Sequence, residues 1–330
     1  MITQRLRTVG IAAAALALAL TATACSGKQR DRADKGEGGR LTVATGNTTG
    51  VYYQLGGGLA KEISDNLKGY RATATATGGS VQNIQGLVKG DYDLGFSLLD
   101  TASDAVHGKD VFAKGQPVEA LARLYPNYTQ VVVRAGSGIK SLEDMRGKRI
   151  STGAPGSGTE VIAKRLLHAS GLDINKDIKA QRLALPETVD AMKDGTVDAF
   201  FWSGGLPTAG ITDLTTTLQK KVSFLDVTPK LTALRKEYGD VYQRGTIPAA
   251  TYQQPGDIPT IVVPNVLLVK KGFDPKLAGK LVDLLFDRQV ELAKVNVAAK
   301  ENRVADADKT NPVPLNPGAR KAITARAGKA

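Results

Sequence analysis

Metal-binding residue types are scarce in this sequence. Its 330 residues include one cysteine, Cys25, and two histidines, His107 and His168. A structural zinc site needs four ligands that are drawn mainly from these two residue types. Because we predict that Cys25 is lipidated, no such set can be assembled. We therefore predict neither a metal site nor a bound cofactor.

Motifs of the common catalytic classes are also missing. The turn at residues 153–159 is rich in glycine, but Glu160 follows where a phosphate loop has lysine. Neither Ser157 nor Ser203 lies in the Gly-x-Ser-x-Gly pattern that positions a hydrolase nucleophile. We therefore predict that the protein is not an enzyme and has no catalytic residues.

Basic residues outnumber acidic ones, 44 to 32, which gives a formal net charge of +12. Such an excess can indicate binding to nucleic acid or to a membrane surface. The Lys and Arg residues are scattered over presumed helix faces, and no basic stripe is interleaved with aromatic residues. We predict a solvated basic surface, no nucleic-acid partner and a monomer.

Long hydrophobic runs are absent beyond the N-terminal region. The apolar run at residues 11–20 is too short to span a bilayer but suits a secretory signal. Small residues then lead to Cys25 in a pattern that resembles a bacterial lipobox, with Ala22 where leucine is usual. We predict a signal peptide over residues 1–24 and a lipidated, flexible tether over residues 25–40. The alternative is an ordinary signal peptide followed by a free cysteine.

From residue 41 onward, strand-like and helix-like segments alternate as in βαβ units. This order repeats, and two long extended segments, at 119–135 and 259–270, contain prolines. Because proline is rare inside central strands, we interpret both segments as crossings between two sheets. The sequence thus predicts an α/β protein of two lobes joined by two extended hinge segments. Residues 41–126 plus 260–330 form lobe 1, and residues 127–259 form lobe 2.

One glycine-rich turn follows a predicted strand in each lobe and leads into a helix, at residues 45–50 and 153–158. A helix N-terminus has unpaired N–H donors and about half a positive charge, which suits small anions. We predict a ligand cleft between the two turns, outside the carboxyl ends of the strands. The predicted ligand-binding residues are Asn47, Thr48, Gly50, Val51, Tyr52, Gly79, Ser80, Leu99, Asp100, Tyr125, Ser157, Gly158, Thr159, Trp202, Gly205 and Pro207.

Several of these residues also have a simpler interpretation. Ser80 and Asp100 each stand at the start of a predicted helix, where they could serve as N-caps. If Asp100 instead faces the cleft, its carboxylate favours an ammonium group on the ligand. Tyr52, Tyr125 and Trp202 could supply flat apolar walls. The sequence leaves these alternatives open.

The order of short motifs along the chain resembles the TAXI family, the solute receptors of tripartite ATP-independent periplasmic (TRAP) transporters. The resemblance covers nearly all of the predicted mature chain and rests on residues 46–53, 78–83, 155–160, 198–207 and 314–319. It implies a type II periplasmic-binding-protein fold that closes on its ligand by hinge motion. It also implies delivery to permease membrane subunits that are driven by an ion gradient.

Members of that family are associated with organic acids and with amino acids such as glutamate. Leu98 and Leu99 stand where polar residues are common in the family, so one wall of the cleft is expected to be apolar. We expect a lipoprotein, anchored at the outer face of the cell membrane, that binds a carboxylate through backbone N–H groups at Ser157–Thr159. The alternative from another class is a sensory or adhesion lipoprotein that contacts a protein partner.

Overall fold

The computed structural model describes residues 38–328. The predicted signal peptide, Cys25 and the tether up to residue 37 lie outside the described residues. The first strand begins at Gly39, so the end of the segment predicted as a tether already belongs to the fold. Within the described range, no helix combines the length and the apolar character that crossing a membrane requires.

Strands and helices alternate along most of residues 38–328, as the sequence predicts. The strands are β1 (Gly39–Ala44), β2 (Tyr70–Thr75), β3 (Leu94–Leu98), β4 (Val118–Arg134), β5 (Arg149–Ser151), β6 (Lys179–Gln181), β7 (Ala199–Gly204), β8 (Val222–Phe224), β9 (Gln243–Ile247) and β10 (Ile258–Lys270). The α-helices are α1 (Val51–Asn66), α2 (Ser80–Lys89), α3 (Leu99–His107), α4 (Gly158–His168), α5 (Leu185–Asp194), α6 (Ala209–Leu218), α7 (Leu231–Tyr238), α8 (Pro275–Asp287), α9 (Gln289–Val295) and α10 (Pro317–Ala327).

The strands form one sheet in the order β2-β1-β3-β10-β4-β7-β5-β6, with β8 paired to β4 and β9 paired to β10. On the first side of this sheet, β1 is parallel to β2 and β3, and β10 is antiparallel to β3. On the second side, β5 is parallel to β6 and β7, and β4 is antiparallel to β7. The two sides therefore repeat one pattern, which matches the repeated strand and helix order in the sequence.

The long strands β4 and β10 join the two sides, because they pair with each other around Pro126 and Pro264. These two prolines lie directly opposite each other, and neither has an N–H to donate to the ladder. Next to them, the Asn127 Nδ2 donates to the Asn265 Oδ1 at 3.1 Å. We predicted crossings between separate sheets, whereas the structure joins both sides in one continuous sheet. The division into two lobes stays a prediction.

Apolar side chains pack on both faces of the sheet. In α1, Leu55, Leu59 and Ile63 recur every four residues and are buried on one face of the helix. The larger core cluster includes residues of both sides, and a smaller one packs α5 and α6 against the second side. Helix α8 begins as predicted, because the Asp274 carboxylate accepts from the N–H groups of its first turn.

Candidate functional site

A cavity lies where the loops that follow β1, β2, β3, β5 and β7 meet between the two sides of the sheet. It encloses about 430 Å³ of space, part of which is open to solvent. The lining residues are Gly46, Asn47, Gly50, Val51, Tyr52, Gly78, Gly79, Ser80, Leu98, Asn127, Ser157, Gly158, Thr159, Trp202, Ser203, Gly204 and Gly205.

Most of the predicted ligand-binding residues line this cavity. They are Asn47, Gly50, Val51, Tyr52, Gly79, Ser80, Ser157, Gly158, Thr159, Trp202 and Gly205. The prediction omitted six lining residues, and five of them, Gly46, Gly78, Leu98, Ser203 and Gly204, are sequence neighbours of predicted ones. The sixth, Asn127, had no such signal, because it lies within the extended segment at 119–135 that we interpret as a crossing. The ligand-binding role of all these residues stays a prediction.

Five predicted residues lie elsewhere. Thr48 is exposed at the surface, and Leu99 is a buried core residue at the start of α3. Tyr125 is wholly buried behind Gly205, where a side chain at the glycine would come within 2.8 Å of the tyrosine ring. Pro207 is half-buried beyond that glycine. None of these four side chains lines the cavity. The fifth residue, Asp100, does not line it either.

Asp100 is buried in a charged network between α3 and α4. Its Oδ2 accepts the hydroxyl proton of Tyr242 at 2.6 Å and an N–H of Arg165 at 3.3 Å. Arg165 also pairs with Asp104, and its guanidinium carbon lies 4.0 Å from the ring centre of Tyr238. The Asp100 carboxylate is therefore committed to an ion pair that bridges the two sides.

Burial and neighbouring charges together determine the pKa values in this network. Burial, reinforced by the Asp100 charge, raises the pKa of Asp104 to about 6, although the neighbouring Arg165 acts in the opposite direction. The pKa of Arg165 is raised; its own burial acts the other way, but Tyr242 and the two carboxylates hold the proton. Arg165 is 3% exposed, so this pair is shielded from solvent.

The N-cap interpretations of Ser80 and Asp100 are wrong. Gly79 is the N-cap of α2, and Ser80 is the first helical residue, whose Oγ accepts from the Leu98 N–H at 3.0 Å. Leu98 precedes α3 as its N-cap, and Asp100 lies inside the first turn. Both side chains have partners outside the backbone of their own helix, which local sequence patterns cannot reveal.

Four helices begin at the wall of the cavity. The N-caps of α1, α2, α3 and α4 are Gly50, Gly79, Leu98 and Ser157, and all four line the cavity. No charged side chain is found among the lining residues. The first N–H groups of an α-helix have no partner within the helix, so this wall is rich in backbone donors. An anion is the ligand that such a wall favours.

The starts of α2 and α4 face each other across the cavity. A Cβ placed on Gly79 would lie 3.5 Å from the Ser157 Cα and 3.8 Å from the Gly158 nitrogen. Gly79 has a φ of +124°, a conformation that glycine adopts readily and other residues rarely do. At Gly78, a Cβ would come within 2.4 Å of the Pro155 carbonyl oxygen. These glycines therefore allow the two turns to approach closely.

Direct hydrogen bonds join the two sides around the cavity. The Gln82 N–H donates to the Gly156 carbonyl at 3.1 Å. The Leu185 N–H, at the start of α5, donates to the Asn47 Oδ1 at 2.7 Å. The two sides are therefore in contact, and the cavity is closed over part of its surface.

Polar side chains continue from the cavity into the crossing of β4 and β10. The Tyr52 ring stacks on Phe96 with 5.2 Å between centroids, and its hydroxyl donates to the Asn265 Oδ1 at 2.5 Å. Burial raises the pKa of Tyr52, so its phenol is neutral at physiological pH. The Ser203 hydroxyl donates to the Asn127 Oδ1. Two residues of the cavity wall, Tyr52 and Ser203, are thus hydrogen-bonded to the asparagines that follow Pro264 and Pro126.

Comparison with known proteins gives one family and a common fold. The model of the NMT1-like family matches residues 43–324. A solved structure from Bordetella bronchiseptica RB50 has a TM-score of 0.53 and 21% identity, and the match covers 88% of this chain and 91% of that one. A structure described as a periplasmic transporter has a TM-score of 0.51 and 14% identity, with 88% and 93% covered. A Xanthomonas citri protein bound to ATP has a TM-score of 0.50 and 14% identity, with 88% and 96% covered.

At these identities the likeness concerns the fold. Two sides of repeated topology, with a cavity at the carboxyl ends of their parallel strands, make up the periplasmic-binding-protein fold. The predicted α/β class and periplasmic-binding-protein fold are therefore confirmed.

Proposed function

Because the chain belongs to the NMT1-like family, we propose that it is a periplasmic solute-binding protein for a small carboxylate-bearing solute. The observation that carries this proposal is the convergence of four helix N-termini on a cavity with no charged lining side chain. Such a cavity attracts an anion through backbone dipoles and N–H groups. A neutral solute would leave much of that donor capacity unused.

In the proposed complex, the ligand carboxylate accepts hydrogen bonds from the N–H groups of Gly158 and Thr159, because the Ser157 N–H donates to the Ala154 carbonyl. Hydrogen bonds to a charged group each contribute about 1.5–3 kcal/mol. Lobes 1 and 2 correspond to the two sides of the sheet and close over the ligand. The hinge lies in β4 and β10 near Pro126 and Pro264, where the ladder lacks two donors. Closure is a population shift that the ligand drives by contacting both lobes.

Delivery of the solute to a membrane permease is the second part of the proposal. The TAXI-like motifs support a TRAP permease, which an ion gradient drives. We propose an extracytoplasmic location with a lipid anchor at Cys25 and no catalytic activity. Replacement of Cys25 by alanine tests the anchor, because the protein should move from the membrane fraction to the soluble fraction. Retention in the membrane fraction would contradict lipidation.

Isothermal titration calorimetry tests the ligand class. Small organic acids are compared with their primary amides, which match them in size but lack the negative charge. We expect at least one acid to bind and its amide to bind at least about 100-fold more weakly, which corresponds to about 2.7 kcal/mol. Binding of a sugar or a polyamine, with no binding of any acid, would overturn the proposal.

Reconstitution tests the transport step. The permease is placed in liposomes, and uptake of the bound acid is measured with an ion gradient and no ATP. We expect uptake only when the solute-binding protein is present. Uptake that requires ATP would overturn the TRAP assignment and leave the binding function intact.

A further inference from the structure

We infer that the ligand of this cavity is a small carboxylate without an ammonium group, so that amino acids are poor ligands. This inference rests on the proposed function and narrows its ligand class. It follows from the hydrogen-bonding roles of the lining side chains and from the position of Asp100.

The side-chain oxygens around the cavity already accept hydrogen bonds from the protein. The Asn47 Oδ1 accepts from the Leu185 N–H, and the Ser80 Oγ accepts from the Leu98 N–H. On the other side, the Ser157 Oγ accepts from the Glu160 N–H at 3.0 Å. Each of these oxygens has therefore used one of its two acceptor lone pairs within the fold.

Donors remain at the same wall. The hydroxyl groups of Ser80, Ser157 and Thr159 are at least nine-tenths buried, and each accepts a backbone N–H. Among residues 38–328, the O–H groups of Ser157 and Thr159 have no acceptor in their hydrogen bonds, whereas the Ser80 hydroxyl also hydrogen-bonds to the Tyr52 side chain. A hydroxyl that accepts once still has its proton to donate. These hydroxyls and the helix N-termini make the cavity a donor site, which suits a carboxylate.

The facing starts of α2 and α4 add to this preference. Gly79 and Gly158 bring two partial positive charges within a few ångströms of each other. A carboxylate in the cavity beside both helix starts is attracted by them, whereas an ammonium group is repelled.

An ammonium group would need a negative partner, and the cavity wall does not provide one. Asp100 follows Leu98 closely in sequence, but its carboxylate binds Arg165 and Tyr242. Arg165 neutralises that charge and itself has a second acidic partner, Asp104. The sequence-based hypothesis that Asp100 holds a ligand ammonium therefore has no free carboxylate to support it.

Matched ligand pairs test the inference by calorimetry at pH 7 with the purified full chain. The pairs are propionate with alanine, isovalerate with valine, and glutarate with glutamate, which differ only in the ammonium group. We expect the acid of any pair that binds to bind at least 100-fold more tightly than its amino acid. An amino acid that binds within tenfold of its acid, or more tightly, would overturn the inference and leave the proposed carboxylate receptor intact. No binding of any acid or amino acid would instead overturn the proposed function.

Two variants sharpen this test. Asp100→Asn is isosteric and removes the charge that an ammonium group would need, and Asp104→Asn is its matched control in the same network. We expect neither variant to change the ratio of acid to amino-acid affinity by more than about threefold. A loss of amino-acid affinity of tenfold or more in Asp100→Asn, without the same loss in the control, would show that Asp100 binds the ligand. Circular dichroism melting checks that both variants are folded.

Discussion

Gly158 provides a direct test of closure, because residues of the other side of the sheet lie against its Cα. It begins α4 on the second side, and a Cβ at this position would lie 2.5 Å from the Leu98 Cδ1. The same Cβ would lie 2.7 Å from the Ser80 Oγ. Both neighbours belong to the first side. A Gly158→Ala variant therefore places a methyl group in the contact between the sides.

The expected cost follows from these distances. Carbon atoms pack best about 3.5–4.0 Å apart, so Leu98 has to retreat by about 1 Å in a filled region. Overpacking of this kind typically costs about 1–3 kcal/mol. Alanine itself suits the helical backbone of α4, so the cost arises only where the sides touch. If ligand binding requires that contact, affinity should fall about 5- to 150-fold.

Calorimetry with the tightest-binding acid measures this loss, and Gly57→Ala is the matched control. Gly57 lies in α1 with nothing within 4 Å of its Cβ position, so alanine should stabilise the helix by up to about 1 kcal/mol without changing affinity. Wild-type affinity in Gly158→Ala would refute the reasoning. A drop in unfolding free energy as large as the drop in binding free energy would also refute it, because the methyl group would then disturb the fold.

Three further predictions concern stability, and urea denaturation measures each of them. Burial raises the pKa of Asp104 to about 6, whereas in the unfolded chain it is about 4. Between these pH values the folded protein keeps a proton that the unfolded chain has released. The stability due to Asp104 should therefore fall as pH rises from about 4 to 6. Asp104→Asn should remove this part of the pH dependence, and an unchanged slope would contradict the prediction. Asn265→Ala should lower the unfolding free energy by about 3 kcal/mol, because it removes the acceptor of the Tyr52 hydroxyl and the donor to the Tyr125 carbonyl; a loss under 1 kcal/mol would contradict it. Ser157→Ala should cost about 1 kcal/mol through the lost cap of α4, and Ser157→Thr should restore most of it; equal losses in both variants would rule out capping.

Apolar periodicity and helix-ending glycines in the sequence predicted the elements that such short-range signals determine. The sequence predicts a strand at residues 94–98, which β3 matches. It predicts helices at 52–67 and 81–89; α1 begins and ends one residue earlier than predicted, and α2 begins one residue earlier. Their apolar periodicity is regular, and a glycine follows α2 in the left-handed conformation. The two glycine turns also lie at the cavity as predicted. Each connects the end of a strand to the start of the next helix, so a short stretch of sequence is enough to locate it.

Elements that depend on distant partners were missed. Strand β9 is mostly exposed and polar, and pairing with β10 gives it its conformation. Helix α7 buries only Leu231 and Leu234, so its pattern is too weak to predict. In the site, the partner of Asp100 is Arg165, which lies 65 residues away and on the other side of the sheet. No sequence window contains both residues, so the alternatives for Asp100 could not be resolved.

The lack of charged side chains in the cavity has a kinetic consequence. The chain carries a net charge of +12, and its field acts on an approaching anion over about 8 Å at physiological ionic strength. Within the cavity, fixed backbone dipoles hold the ligand at short range, where dissolved salt screens little. Added salt should therefore slow association and leave dissociation nearly unchanged. The time that a ligand stays bound is then a property of the fold, whereas the rate of its capture follows the ionic strength of the surrounding solution.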